Sequence, residues 1–196
     1  MAKVVKFPGP SPEKFGLQKA RKRKNDTVAS PGQLNLFGGR VVKLSHLTTF
    51  EEALMLDEAG DLESAKALYR KAIEEGDFIA DAWCNLGIIE SKEGNHAGAI
   101  DAFTRCLGHE PRHHEAHYNL ANLYAEVGNY ALAKIHYALA SEIEPGFPNS
   151  YFNLGLTLAM NKEYPEAVTM LRKYCSLTSP QDHKQALELI NQLSML

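Results

Sequence analysis

The sequence predicts an all-α protein: a solenoid of stacked antiparallel helix pairs, with a basic arm before it and a capping helix after it. Three observations carry this. Residues recur every 34 positions through the body of the chain. Each unit holds two stretches of helical periodicity joined by a short turn. The charge changes sign near residue 45.

The recurrence runs over many positions. Small residues sit at Ala65, Ala99, Ala133 and Ala167, and large ones follow at Tyr69, Phe103, Tyr137 and Leu171. Gly60, Gly94 and Gly128 are followed by Asp61, Asn95 and Asn129. A ring recurs at Trp83, His117 and Tyr151, then Asn-Leu at Asn85-Leu86, Asn119-Leu120 and Asn153-Leu154. So many positions in register over three to four copies mark a repeat architecture.

Within a unit, Trp83, Leu86, Gly87 and Glu90 share one helical spacing, and Ala99, Phe103 and Cys106 share another. Gly94-Asn95 separates them: glycine takes a left-handed C-cap, and Asn caps the next N-terminus. Pro111 ends the second helix, having no N–H to donate. Gly87 and Ala99 let the two helices approach closely, with Trp83, Leu86 and Phe103 filling the surrounding space.

These residues at this spacing resemble the tetratricopeptide repeat family. Four units are expected at 46–79, 80–113, 114–147 and 148–181. The first is degenerate, with Thr49 and Glu52 where the others have a ring and a leucine. The fourth has Lys162-Glu163 at the glycine turn, and Pro165 falls in the first turn of its second helix, where proline is tolerated. In the segment 182–196, Ala186, Leu187, Ile190 and Leu193 are expected to face the last repeat as a cap.

The resemblance implies a right-handed superhelix with a concave groove lined by the first helix of each unit. Groove positions then fall at Asp81, Cys84, Asn85, Ile88 and Ser91; at Glu115, Tyr118, Asn119, Asn122 and Ala125; and at Asn149, Phe152, Asn153, Leu156 and Ala159. Some members of the family grip C-terminal carboxylates with groove lysines. Here Cys84, Tyr118 and Phe152 stand in those places, which disfavours such a clamp. The expected groove is apolar-aromatic with a row of amides. Tyr118, Phe152 and Leu156 would anchor apolar side chains, and Asn119, Asn122 and Asn153 would bind the backbone of an extended peptide.

Chemistry of other kinds finds little support. There is no phosphate-cradling glycine loop, no G-x-S-x-G and no H-E-x-x-H, so no enzyme is expected. Cys84, Cys106 and Cys175 are widely spaced and read as small hydrophobes, not as a disulfide framework or a metal site. In "HEPRHHEAH", His113 and His117 have metal-ligand spacing, but His117 falls on the inward ring position, so a structural role is expected. No cofactor is implied.

Residues 1–45 hold ten Lys/Arg against Glu13 and Asp26, a net +8, while the rest of the chain carries −11. No apolar run is long enough for a membrane span, and prolines interrupt the place of a signal peptide, so a cytoplasmic location is expected. The arm reads as largely disordered. Its cluster Lys19, Arg21, Lys22, Arg23 and Lys24 would make weak, salt-sensitive contact with nucleic-acid phosphates.

"QLNLF" at Gln33, Leu34, Asn35, Leu36 and Phe37 resembles the pentapeptide by which bacterial replication and repair proteins dock on the sliding clamp. Two readings compete for it. In one, the chain is an adaptor docked on such a clamp, with the basic cluster touching DNA. In the other, Leu34, Leu36 and Phe37 fold back to cap the first unit or reach the groove near Cys84 and Ile88. The linker before the first repeat spans about 27 Å when extended, and residues 41–44 would run along the first helices as a strap. The main expectation is a protein-interaction scaffold that binds an extended peptide in its groove.

Overall fold

A computed structural model describes residues 18–20 and 47–195. The expectations for residues 21–24, 33–37 and 41–44 lie outside the described residues. Those described form nine α-helices and no strand. They are α1 (Thr49–Ala59), α2 (Leu62–Glu75), α3 (Ile79–Lys92), α4 (His96–His109), α5 (His114–Glu126), α6 (Tyr130–Ile143), α7 (Pro148–Met160), α8 (Tyr164–Leu177) and α9 (Lys184–Leu193). A 3-10 turn at Pro180–Asp182 precedes α9. Each odd helix packs on the even helix after it, and each even helix on the next pair, which is the order of a solenoid. Among the described residues no helix is long and apolar enough to cross a membrane.

The turns follow from the punctuating residues. Gly60, Gly94 and Gly128 adopt positive φ near 80° (85°, 77° and 77°), open to glycine at no steric cost. Asp61, Asn95 and Asn129 then accept from the backbone N–H three residues on and cap α2, α4 and α6. In the fourth unit Lys162 takes the left-handed place at φ 64°, where an L side chain is strained. Pro165 lies in the first turn of α8.

The degenerate first unit solves its missing ring one residue later. Thr48 closes a capping box with Glu51, and Phe50 carries the ring. Phe50 is fully buried, 5.7 Å from the Tyr69 ring and 5.2 Å from the Phe78 ring. At the other end, α9 buries Ala186, Leu189, Ile190 and Leu193. Leu187 was expected on that face, yet it is 49% exposed. It sits about 100° around the helix from Ala186, whereas Leu189 and Ile190 return to the buried side.

Close approach within each pair depends on small residues. A Cβ added at Gly87 would lie 2.7 Å from the buried Phe103 ring, and one at Gly155 would lie 2.9 Å from Leu171 Cγ. Neither neighbour has room to retreat, since Phe103 and Leu171 are both fully buried.

The histidine expected at the inward ring position pairs with another. His117 Nε2 lies 3.1 Å from the Pro111 carbonyl, which only an N–H can satisfy. Its Nδ1 is then an acceptor, and His136 Nδ1, 2.9 Å away, donates to it. The His136 ring also stacks on Tyr124 at 5.6 Å. Burial pushes both imidazoles down, His117 against the pull of the Pro111 carbonyl, and with the His117 charge added His136 falls to about 4.

Two outcomes are expected. Gly87→Ala should lower stability by about 1–3 kcal/mol through overpacking against Phe103, read as a shift in the urea midpoint. The His117–His136 pair is neutral in the fold, while an unfolded chain takes protons near the ordinary pKa of about 6.5. Its contribution is therefore present above that pH and lost as pH falls toward 4. Thermal melts between pH 7 and pH 4.5 should show a steeper loss for the natural chain than for His136→Gln.

Candidate functional site

The asparagines at the sixth position of the second, third and fourth units line up along the concave helices. Asn85 lies on α3, Asn119 on α5 and Asn153 on α7. Asn85 and Asn119 are fully buried, which obliges their amides to find partners. They find them in the chain's own N-terminal residues 18–20.

The pairing is reciprocal at both rungs. The Ala20 N–H donates to Asn85 Oδ1 at 3.0 Å, and Asn85 Nδ2 donates back to the Ala20 carbonyl at 3.1 Å. The Gln18 N–H donates to Asn119 Oδ1 at 2.8 Å, and Asn119 Nδ2 donates to the Gln18 carbonyl at 2.8 Å. A carboxamide carries an acceptor and a donor side by side, so it matches the N–H and C=O of one residue. In an extended backbone, alternate residues present both groups to the same side. A step of 34 residues along the solenoid therefore corresponds to two residues of bound segment.

The residue between the two rungs is held as well. Lys19 Nζ lies 2.6 Å from Asp57 Oδ1, a carboxylate whose side chain is wholly buried. Asp57 is at the end of α1, the twelfth position of the first unit. Tyr69 joins this pair to the rung beside it: its hydroxyl accepts from Asn85 Nδ2 at 3.2 Å and stands 3.4 Å from Asp57 Oδ2 as donor. Burial and the Asp57 charge push the Tyr69 phenol far up, so it keeps its proton. Ala20 is buried in one cluster with Cys84 and Ile88.

The other expected groove residues have different surroundings. Asn153 Nδ2 donates to the Tyr118 hydroxyl at 3.0 Å and to Asn122 Oδ1 at 3.1 Å. Tyr137 donates to the same Asn122 oxygen. Tyr118 and Phe152 are buried; the Tyr118 ring meets Phe147 edge-on at 5.0 Å, and Phe152 meets Tyr174 at 5.1 Å. Leu156 is half-buried against the C-terminal core. Lys19, expected as a phosphate contact, has its charge already partnered by Asp57.

Two features escaped the sequence reading. The degenerate first unit hides Asp57, although it stands 34 residues before Ser91, a groove position of the second unit. The second is a buried trio: Cys84, Cys106 and His113 bring their sulfur and nitrogen atoms within 4.8 Å of one another. These are donors that suit a soft metal. Both imidazole nitrogens are nevertheless engaged. Nε2 meets Asp81 Oδ1 at 3.1 Å, and Nδ1 receives the Ala116 N–H at 3.2 Å as the cap of α5. Burial raises the Cys84 thiol, and its sulfur lies 3.8 Å from Asn119 Nδ2, behind the second rung. The trio thus supports the groove from beneath.

Comparison with known proteins agrees with this architecture. Tetratricopeptide repeat models match residues 50–108 and 91–149, together just over half of the chain. Human Protein O-mannosyl-transferase TMTC3 is 38% identical over 128 residues, covering 63% of this chain but 14% of that protein. The solved first TPR of Spaghetti (RPAP3) bound to the HSP90 peptide SRMEEVD is similar with a TM-score of 0.55 at 20% identity, over 59% of this chain and 90% of that one. YrrB, described as a TPR protein with an unusual peptide-binding site, gives 0.58 at 23% identity over 71% of each chain. The 34-residue period, the paired helices and these matches together show that the chain belongs to the tetratricopeptide repeat family.

Proposed function

We propose that this protein is a non-catalytic interaction scaffold that binds an extended peptide along its concave face by the peptide's backbone. The observation that carries the reading is the pair of reciprocal amide clasps, with Asn85 on Ala20 and Asn119 on Gln18. Such a clasp reads backbone, not side chain, and so admits many sequences. Asn153 stands next in the same row, with its amide held by Tyr118 and Asn122. Ile88 and Cys84 wall the apolar side of the path, and Phe152 and Leu156 continue it. The Spaghetti and YrrB structures described above, each linked with peptide binding in its own right, support the class of activity.

Each clasp contributes two hydrogen bonds of about 1 kcal/mol each. In a chain whose own residues 18–20 are loosened by Lys19→Glu, peptides selected from a random library should therefore lose at least tenfold in affinity, in a titration by fluorescence anisotropy, when Asn85→Ala and Asn119→Ala are added. Affinity unchanged in that variant would rule out backbone clasping as the mode of binding.

A further inference from the structure

We infer that the groove selects a lysine or arginine followed by a small residue, and that residues 18–20 are its built-in occupant, which a partner of that sequence class must displace. The inference rests on the peptide-groove reading above and adds what the groove reads and what fills it.

The first ground is the Asp57 carboxylate. Among the described residues no hydrogen bond from the repeats reaches its Oδ1. Its Oδ2 has the Tyr69 hydroxyl at 3.4 Å, a long contact. A carboxylate covered in this way without a cation is costly. The Lys19 ammonium, at 2.6 Å, is what the occupant brings. An acidic or neutral side chain at that place would cover the charge without compensating it.

The second ground is register. With Gln18 held by Asn119 and Ala20 held by Asn85, the residue between them has one place to stand. The cation is read at that place and not elsewhere along the ligand. The third ground is the space at the next residue. Ala20 is 1% exposed, packed with Cys84 and Ile88, so a large side chain there would meet a filled core. The fourth is the relay through Tyr69, which ties the backbone clasp and the charge pair into one network. Loss of the cation therefore weakens the adjacent clasp as well.

The occupant belongs to the same chain. Ala20 and Leu47, the first described residue of the body, are separated by 26 residues. Segment and groove therefore belong to one molecule, and their meeting is intramolecular. A partner in trans then competes against the chain's own segment. The acidic body, at −11, attracts basic partners over others.

The test uses the full chain and two labelled peptides: GLQKARK, the sequence of residues 16–22, and the same peptide with glutamate in place of its first lysine. Fluorescence anisotropy gives the affinities. The Lys19→Glu chain, whose own segment is weakened, should bind GLQKARK at least tenfold more tightly than the natural chain does. It should bind the glutamate peptide at least tenfold more weakly than GLQKARK. Adding Asp57→Asn, which keeps the shape and removes the charge, should abolish that discrimination while thermal melts report an intact fold. Adding Asp57→Lys instead should invert it. No gain for Lys19→Glu overturns the built-in occupant. Discrimination that survives Asp57→Asn overturns the reading of the cation, while the groove itself stands if Asn85→Ala with Asn119→Ala still abolishes binding. Binding insensitive to both asparagines overturns the groove reading beneath it. A natural chain that sediments as a dimer and separates in Lys19→Glu would assign the segment to a second copy and overturn the intramolecular occupant.

Discussion

At Gly87 an added methyl group would stand 2.7 Å from the Phe103 ring, and at Gly155 it would stand 2.9 Å from Leu171. Those two missing side chains let α3 sit on α4 and α7 on α8 at close range. The large residue on the second helix then fills the depression left by the small residue on the first. The spacing of one pair sets the spacing of the next, because each even helix is the floor on which the following odd helix rests. The alignment of Asn85, Asn119 and Asn153 along the concave side depends on this regularity. A looser pair would carry its asparagine out of register with an extended backbone, whose residues repeat at a fixed interval.

The same residue at the same place in three units has two fates. Asn85 and Asn119 turn their amides to the backbone of residues 18–20. Asn153 turns its amide to Tyr118 and Asn122, inside the last two units. The difference lies in the neighbours. A tyrosine hydroxyl lies within reach of both Asn85 and Asn153, but only the Asn153 amide meets a second amide, Asn122, which draws it into a local network. Asn119 has instead the Cys84 sulfur at 3.8 Å, a weak acceptor that leaves the amide to the backbone of the occupant. Buried amides must be satisfied in either case, and the local supply of acceptors decides how.

Histidines serve the scaffold in three ways. His117 fills a ring position and shares a proton with His136. His113 caps α5, where Thr48 caps α1 and no side chain caps α3 or α7. His114 packs its edge on Phe147, and the Phe147 ring in turn meets Tyr118. Burial penalises charge on the His113, His117 and His136 rings, and of these three only His113, faced by Asp81, Cys106 and Glu115, overcomes that penalty and rises to about 10. The Ala116 cap bond belongs to the neutral ring; in the charged ring the Nδ1–H faces the Glu115 carboxylate 3.3 Å away. His113 and His117, one helical turn apart, are thus shifted in opposite directions because their neighbours differ.

The sequence by itself determined the all-α class, the 34-residue period, the turns at Gly60, Gly94 and Gly128, and the place of the asparagine row. These are local properties, repeated in each unit, and a repeat writes its own packing rule several times over. The ring of the first unit moved from the expected place to Phe50, and the buried face of α9 took Leu189 and not Leu187, because packing partners settle what periodicity leaves open by a residue. Only tertiary structure brought Gln18 to Asn119 across 101 positions, Ala20 to Asn85 across 65, and Lys19 to Asp57. No periodicity links those residues. They meet because the solenoid leaves two buried amides and a carboxylate along one face, and a short extended segment of the same chain carries the N–H groups, the carbonyls and the cation that satisfy them.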